Sequence, residues 1–260
     1  MRGRFRKLPA VSVLIPAFNE EKYILQTLNA LMAQDYPHFE MIIANNASTD
    51  LTAIIVQEFI NRHATADRPI HLVHENRQGT NFARECARLK ASGSVIAQLD
   101  ADCIPPSNWI SKGVSLLCMN NKRRVAVTGP YDYFDGNNWM RFSTLFSQIT
   151  VYPLINSLVQ ATGKAAILIG GNTFIRADIL SHAGGYNTIL TFYGDDVDMG
   201  KKLAKYGRVD FMPSLIQRSS SRRYKANGFW EVNKKYQSCF WKLVWNKDHV
   251  LQTIENNHPR

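Results

Sequence analysis

Ser94-Val95-Ile96-Ala97-Gln98-Leu99-Asp100-Ala101-Asp102, residues 94–102, is an apolar run ending on two carboxylates with one residue between them. Side chains at i and i+2 of a strand point to the same side, so Asp100 and Asp102 share a direction at the strand tip. Paired carboxylates there pack poorly and suit a hard divalent cation that takes its remaining ligands from water and phosphate oxygens. An acidic surface loop is the competing reading. An Asp-x-Asp triplet alone does not separate the two.

The segments around it supply a frame. Val11 to Ile15 is an apolar strand ending at Pro16, and Ile24, Leu28 and Leu31 then mark a helical face within 20–34. Glu40 to Ala44 is a second strand, and Ser48-Thr49-Asp50 offers capping oxygens for a helix over about 51–62. Ile70 to His74 and a helix over about 80–90 lead to the strand that ends at Asp100. Such alternation with short connections predicts a doubly wound α/β fold with a mostly parallel central sheet flanked by helices. Ligands of such sheets sit outside the carboxyl ends of the strands. Polar clusters fall at three of those ends: Pro16 to Glu20, Asn45 to Asp50, and Asp100 to Asp102.

The second half is less regular. A helix near 107–119 precedes a strand near 125–128, and residues 142–163 contain no charge. Pro153, Ser147, Gln148, Asn156 and Ser157 interrupt that stretch, which reads as a partly buried amphipathic element and not a span. Gly170-Gly171-Asn172 precedes a short strand, and Gly194-Asp195-Asp196 opens a helix bearing Met199, Leu203 and Tyr206.

The 260 residues fit one large domain, or one domain plus an appendage. The four cysteines show no metal-ligand spacing and read as free thiols, Cys103 beside the acidic triplet included. Without a signal-peptide pattern at the start, the expected location is the cytoplasm. A net charge of +10 favours anionic partners such as nucleic acid, acidic lipid or phosphorylated substrates.

Taken together, the motifs resemble the family 2 glycosyltransferases. They appear in that family's order: 11–21 (VSVLIPAFNEE), 45–50 (NNASTD), 76–84 (NRQGTNFAR), 100–102 (DAD), 170–172 (GGN) and 193–198 (YGDDVD). The resemblance covers roughly 11–224 and implies a GT-A type nucleotide-sugar-binding fold, with an N-terminal arm over 1–10, a catalytic domain over 11–216 and a tail over 217–260. It implies an inverting transfer in which Mn²⁺ or Mg²⁺ is held by Asp102, with Asp100 on the ribose or a metal-bound water. The general base would be Asp196, with Asp195 its rival. Pro16, Ala17, Asn19 and Glu20 would face the nucleoside. Asn46 stands where the family often has an Asp that accepts from the uracil N3–H; an amide oxygen can accept that bond too, so a UDP-linked donor is expected. Arg84 is carried over as a diphosphate contact, and Gly170, Gly171 and Asn172 as the floor of the acceptor and donor-sugar pocket. The processive signature, Gln/Arg-x-x-Arg-Trp, is absent: 217–224 reads QRSSSRRY, which favours single addition and leaves Arg222 and Arg223 as diphosphate contacts.

From Arg218 to Lys247 there are eight Lys or Arg against Glu231 alone. On a helix, Phe229, Val232, Tyr236, Phe240, Leu243 and Val244 share an arc, with Trp230, Trp241 and Trp245 at one border. That is the layout of an interfacial helix on an anionic membrane, and equally of a helix packed on the domain. A membrane-apposed tail suits a lipid-linked saccharide or another cell-envelope glycan as acceptor. Two other classes fit parts of the pattern: a nucleotidyltransferase sharing the metal and nucleotide half, and a nucleic-acid-binding protein. No basic reading motif supports the latter, so no nucleic-acid partner is expected.

Overall fold

The computed structural model describes residues 8–119, 123–163, 165–190 and 194–245, with side chains of the last helix described to residue 238. Tyr193 of the sixth motif and the side chains of Phe240, Trp241, Leu243, Val244 and Trp245 lie outside them.

The amino-terminal half alternates as expected: β1 (Val11–Ala17), α1 (Ile24–Met32), β2 (Phe39–Asn45), α2 (Thr52–His63), β3 (Ile70–His74), α3 (Thr80–Lys90) and β4 (Val95–Leu99). Then follow β5 (Cys103–Ile104), α4 (Trp109–Cys118), β6 (Arg124–Thr128), β7 (Tyr131–Tyr133), α5 (Asn138–Ala161), β8 (Asn172–Arg176) and α6 (Ala177–His182). The chain continues through α7 (Asp195–Ala204), β9 (Arg208–Phe211), β10 (Gln217–Ser219), α8 (Arg222–Asn227) and α9 (Phe229–Trp245).

Seven strands form one sheet in the order β3-β2-β1-β4-β8-β6-β9. All its pairings are parallel except those of β8, which runs against both β4 and β6. The fold is therefore α/β with a mostly parallel sheet between helices. Both faces are covered, which is why β1 and β2 are apolar without alternation. Val13 and Ile15 join Leu28, Met41, Trp109 and Phe174 on one face. Leu14 joins Ile42, Ala83, Ile96, Ile175 and Leu203 on the other.

A second sheet of order β5-β10-β7 sits at the mouth of the first. Ser219 of β10 lies opposite Cys103 of β5, directly after the acidic triplet, and β7 completes the other edge. At the expected boundary, residues 217–219 are the middle strand of the small sheet and give the backbone after Asp102 a pairing partner.

Two expectations shift. α1 starts at Ile24 and not near 20, since the residues before it are held by another loop. Residues 142–161 belong to one helix, the 24-residue α5, with Pro153 inside it. Among the described residues no helix is long and apolar enough to cross a membrane.

Candidate active site

The carboxyl ends of β1, β2 and β4 lie side by side, Ala17 opposite Asn45 and Leu14 opposite Gln98. The first two end loops clasp each other. Asn19 Oδ1 accepts from the Thr49 N–H at 2.9 Å, and the Asn19, Glu20 and Glu21 N–H groups donate to Ser48, Thr52 and Asp50 at 3.1, 2.7 and 3.1 Å. Asn19 and Ala47 sit at φ 54° and 57°, a left-handed backbone that costs residues with a Cβ. Asp50 also accepts from the Thr52 N–H at 3.0 Å, the local bond expected at that helix start.

Deeper in the cleft, Arg84 is the hub. Its side chain is only 6% exposed, and its guanidinium reaches Asp195 at 2.8 Å, Asp100 at 3.2 Å and Asp196 at 3.8 Å. Arg84 projects from α3, Asp100 from the β4 tip, and Asp195 and Asp196 from the first turn of α7. Tyr131 donates to the second Asp100 oxygen at 3.0 Å. The Gly170 N–H donates to Asp196 at 3.1 Å. A Cβ on Gly170 would overlap Asp196 and Arg84, and one on Gly171 would overlap Asp100 and Tyr131. The paired glycines are required by close approach.

A second guanidinium closes the mouth. Arg222, at the start of α8, lies 3.0 Å from Asp102 and grips both Glu20 oxygens, with its plane 5.1 Å from the Tyr23 ring. Asp135 anchors that segment: it accepts from the Ser221 N–H at 2.5 Å, from Ser220 at 3.1 Å and from Lys225 at 2.9 Å. Burial opposes the charge on Asp135, yet those donors hold its carboxyl down to about 2.

Five carboxylates, Glu20, Asp100, Asp102, Asp195 and Asp196, thus face two guanidiniums. Burial pushes Glu20 up to about 7 despite Arg222. Burial, then repulsion from Asp195, pushes Asp196 up to about 8 although a third of its side chain is open. Asp102 and Asp195 are raised too, chiefly by burial. An excess of buried anions is a site for cations, and Arg222 already lies where one is wanted. Hard oxygen donors at Asp100 and Asp102 fit Mg²⁺ or Mn²⁺. Cys103 lies within 4.8 Å of both, but it is buried and its thiol is pushed well up, first by burial and then by the two aspartates. It stays a neutral thiol and makes a poor partner for a hard ion.

The structure thus brings together Glu20, Arg84, Asp100, Asp102, Asp195, Asp196, Gly170, Gly171 and Arg222. Pro16, Ala17 and Asn19 lie at the β1 end beside this cluster. Two of the expected ligand residues also tie loops together. Asn172 is fully buried in the core: its oxygen accepts from the Trp109 indole at 2.8 Å and its amide donates to Leu215 and Pro130 at 2.7 and 3.2 Å. It holds three loops together from beneath the floor. Asn46 is pinned in the same way. Its oxygen accepts from the Gly79 N–H at 2.8 Å and its amide donates to the carbonyls of Arg77 and Glu75, which fixes the loop after β3. Its oxygen keeps a second lone pair.

Tyr131 and Asp135 were missed by sequence reasoning. Tyr131 lies in a three-residue strand without periodicity, and Asp135-Gly136 reads as an ordinary turn.

The tail helix is partly placed. Val232 of α9 is buried and Phe229 packs against Trp139 and Tyr224, whereas Trp230 is 76% exposed. The first half of α9 therefore packs on the domain.

A family model described as Glycosyl transferase family 2 matches residues 12–184. The probable glycosyltransferase YdaM of Bacillus subtilis is 30% identical over 255 residues, covering 95% of this chain and 55% of that protein. Escherichia coli WfgD, a UDP-Glc:α-D-GlcNAc-diphosphoundecaprenol β-1,3-glucosyltransferase, is 32% identical over 129 residues, 49% of this chain and 48% of that one. The chain spans about half the length of these two relatives. Among solved structures, the Pyrobaculum calidifontis mannosyltransferase PcManGT, in complex with GDP-Man and Mn²⁺, superposes with a TM-score of 0.70 at 23% identity. That alignment covers 92% of this chain and 65% of that one, and it establishes a shared fold.

Proposed function

The chain belongs to glycosyl transferase family 2, and from that premise we propose that it is an inverting, metal-dependent transferase of single sugars. The donor would be a nucleotide-sugar, UDP-linked, and the acceptor hydroxyl would belong to a lipid-linked saccharide or another cell-envelope glycan. The observation that carries this reading is the set of five carboxylates around two guanidiniums at the carboxyl ends of β1 and β4.

Asp102, supported by Asp100, would hold Mn²⁺ or Mg²⁺, whose chemistry is to neutralise the charge developing on a departing diphosphate. The chain's own residues would do the rest. Asp196 would take the proton of the attacking hydroxyl. Its raised pKa, near the working pH, suits a general base. Asp196 is favoured over Asp195 because it is 35% exposed, whereas Asp195 is 16% exposed and tied to Arg84 at 2.8 Å. Arg84 would keep the three surrounding aspartates in place. Pro16, Ala17, Asn19 and the free lone pair of Asn46 would face the nucleoside. Arg222 would leave Asp102 for the diphosphate when the donor enters.

WfgD, which acts on a diphosphoundecaprenol-linked sugar, supports the lipid-linked acceptor. PcManGT is seen in complex with GDP-Man and WfgD is a UDP-Glc transferase, so the base needs a direct test. That test is a thermal-shift screen of nucleotide-sugars with and without Mn²⁺, followed by release of nucleoside diphosphate with acceptor lipid. A metal-dependent stabilisation by one donor class is expected. Stabilisation by nucleoside triphosphates alone, with pyrophosphate release, would replace this reading by a nucleotidyltransferase. Cytoplasmic action at the membrane face follows from the same proposal.

A further inference from the structure

The helix α5 is built inside out. Its buried residues, Met140, Thr144, Gln148, Asn156 and Val159, share one face, and three of the five are polar. Gln148 bonds both the N–H and the carbonyl of Tyr131, at 2.9 and 3.2 Å. Asn156 donates to Val209 at 2.8 Å and accepts from Ile167 at 2.8 Å. The inward polar groups are thereby satisfied.

The outward row is apolar. Trp139, Phe142, Phe146, Val151, Leu154 and Leu158 are all exposed, Phe142 and Leu158 each by 70%. The row runs most of a helix about 36 Å long, taken at 1.5 Å per residue. Scattered exposed apolar side chains need no account, but a continuous row at this spacing does. It continues onto α9, where Trp230 stands 6.4 Å and Phe229 5.2 Å, ring to ring, from Trp139.

Charge identifies what covers it. α5 carries no acidic residue in 24 positions, and Arg141 is its sole charge. Lys234 is exposed beside Trp230 on the neighbouring helix, in a chain of net charge +10. Arg141 is paired with Asp132 at 2.9 Å, but bulky apolar side chains with tryptophans and the exposed Lys234 at one end match a helix lying in the interface of an anionic leaflet. The face also borders the cleft. Rings run from Trp139 through Phe229, Tyr224 and Tyr133 to Tyr131, in steps of 5.0–5.9 Å, and Tyr131 donates to Asp100.

We propose that the outer face of α5, continued by Trp230, docks on an anionic lipid surface and sets the cleft against the membrane from which the acceptor is taken. The docking element is then the inverted helix before the base, and the basic tail supports it. The inference rests on the lipid-linked acceptor of the function proposed above.

Flotation of the full chain with vesicles of phosphatidylcholine alone and with 30% phosphatidylglycerol tests it. Wild-type protein is expected to float with the anionic vesicles and weakly with the neutral ones. The triple variant Phe142→Ser/Phe146→Ser/Leu158→Ser removes three bulky exposed groups and should lower partitioning by about tenfold or more. Circular dichroism and the thermal shift with nucleotide-sugar and Mn²⁺ report that its fold and donor site remain. The proposal is overturned if wild type does not float, if the triple variant floats equally well, or if the triple variant instead converts a dimer to a monomer in light scattering. Donor binding without flotation would sink the docking face and leave the transferase reading intact. Flotation without donor binding would do the reverse.

Discussion

Arg222 lies 3.0 Å from Asp102 while its remaining nitrogens grip Glu20, so a residue of α8 occupies the cation position of an acidic triplet 120 positions earlier in the chain. The guanidinium and a metal compete for one carboxylate. Arg222→Ala should therefore tighten Mn²⁺ binding in the absence of nucleotide by about three- to fivefold, a half-exposed ion pair being worth ~1 kcal/mol or less. The same variant should weaken nucleotide-sugar binding. Titration followed by the Mn²⁺ spin-resonance signal checks the first effect; unchanged affinity would mean that Arg222 does not screen Asp102.

Asp102→Ala removes the buried carboxylate of the pair. Metal-dependent binding of the donor should fall by more than about 100-fold, since losing even an outer-shell partner costs 10–100-fold. Calorimetric titration with and without Mn²⁺ measures it. Metal-independent binding of equal strength in both proteins would remove Asp102 from the metal's role.

Asp196→Asn keeps the Gly170 contact and removes the base, so donor affinity should persist while turnover falls by about 10²–10⁴-fold. A base must be ionised, so kcat/KM in wild type should rise with pH and level off above about 8. Stability moves the other way. The folded pKa lies above the ordinary carboxylate value, so the folded state binds the extra proton and this group's stabilisation is lost as pH rises towards 8. Asp196→Asn should flatten both profiles. Near-normal turnover in that variant with loss in Asp195→Asn would move the base to Asp195.

Asn172→Ala strands the Trp109 indole N–H and the Leu215 carbonyl, while the Pro130 carbonyl keeps the Gln217 N–H at 3.1 Å. Unfolding free energy should drop by about 3 kcal/mol, the cost of leaving buried groups unpaired. Because Asn172 lies beneath the floor, KM for the donor should change little in the fraction that remains folded. A large KM effect with unchanged denaturation midpoint would restore Asn172 as a ligand contact.

Much of this arrangement is legible in the residues. Buried strands without alternation at 11–17, 39–45 and 95–99 announce a sheet covered on both faces, and parallel topology then forces the ends at Asn19, Asn45 and Asp100 to one edge. Asn172 and Asn46 were not readable as buried pins, because an amide that binds ligand and an amide that ties loops carry the same letter. The inversion of α5 escaped for the same reason. Gln148 and Asn156 become an inner face only when the backbone groups of Tyr131, Ile167 and Val209 arrive to pair with them.

The sequence by itself determined the α/β fold, the family and the acids at the strand ends, since periodicity and motif order are local properties of the chain. Only the tertiary structure decided which charges meet. Arg84 is joined to Asp195, and Arg222 to Glu20 and Asp102, across 111, 202 and 120 positions. Coulomb attraction and burial act through space, so the raised carboxyls of Asp102 and Asp196 and the exposed apolar row of α5 exist only once distant segments are packed together.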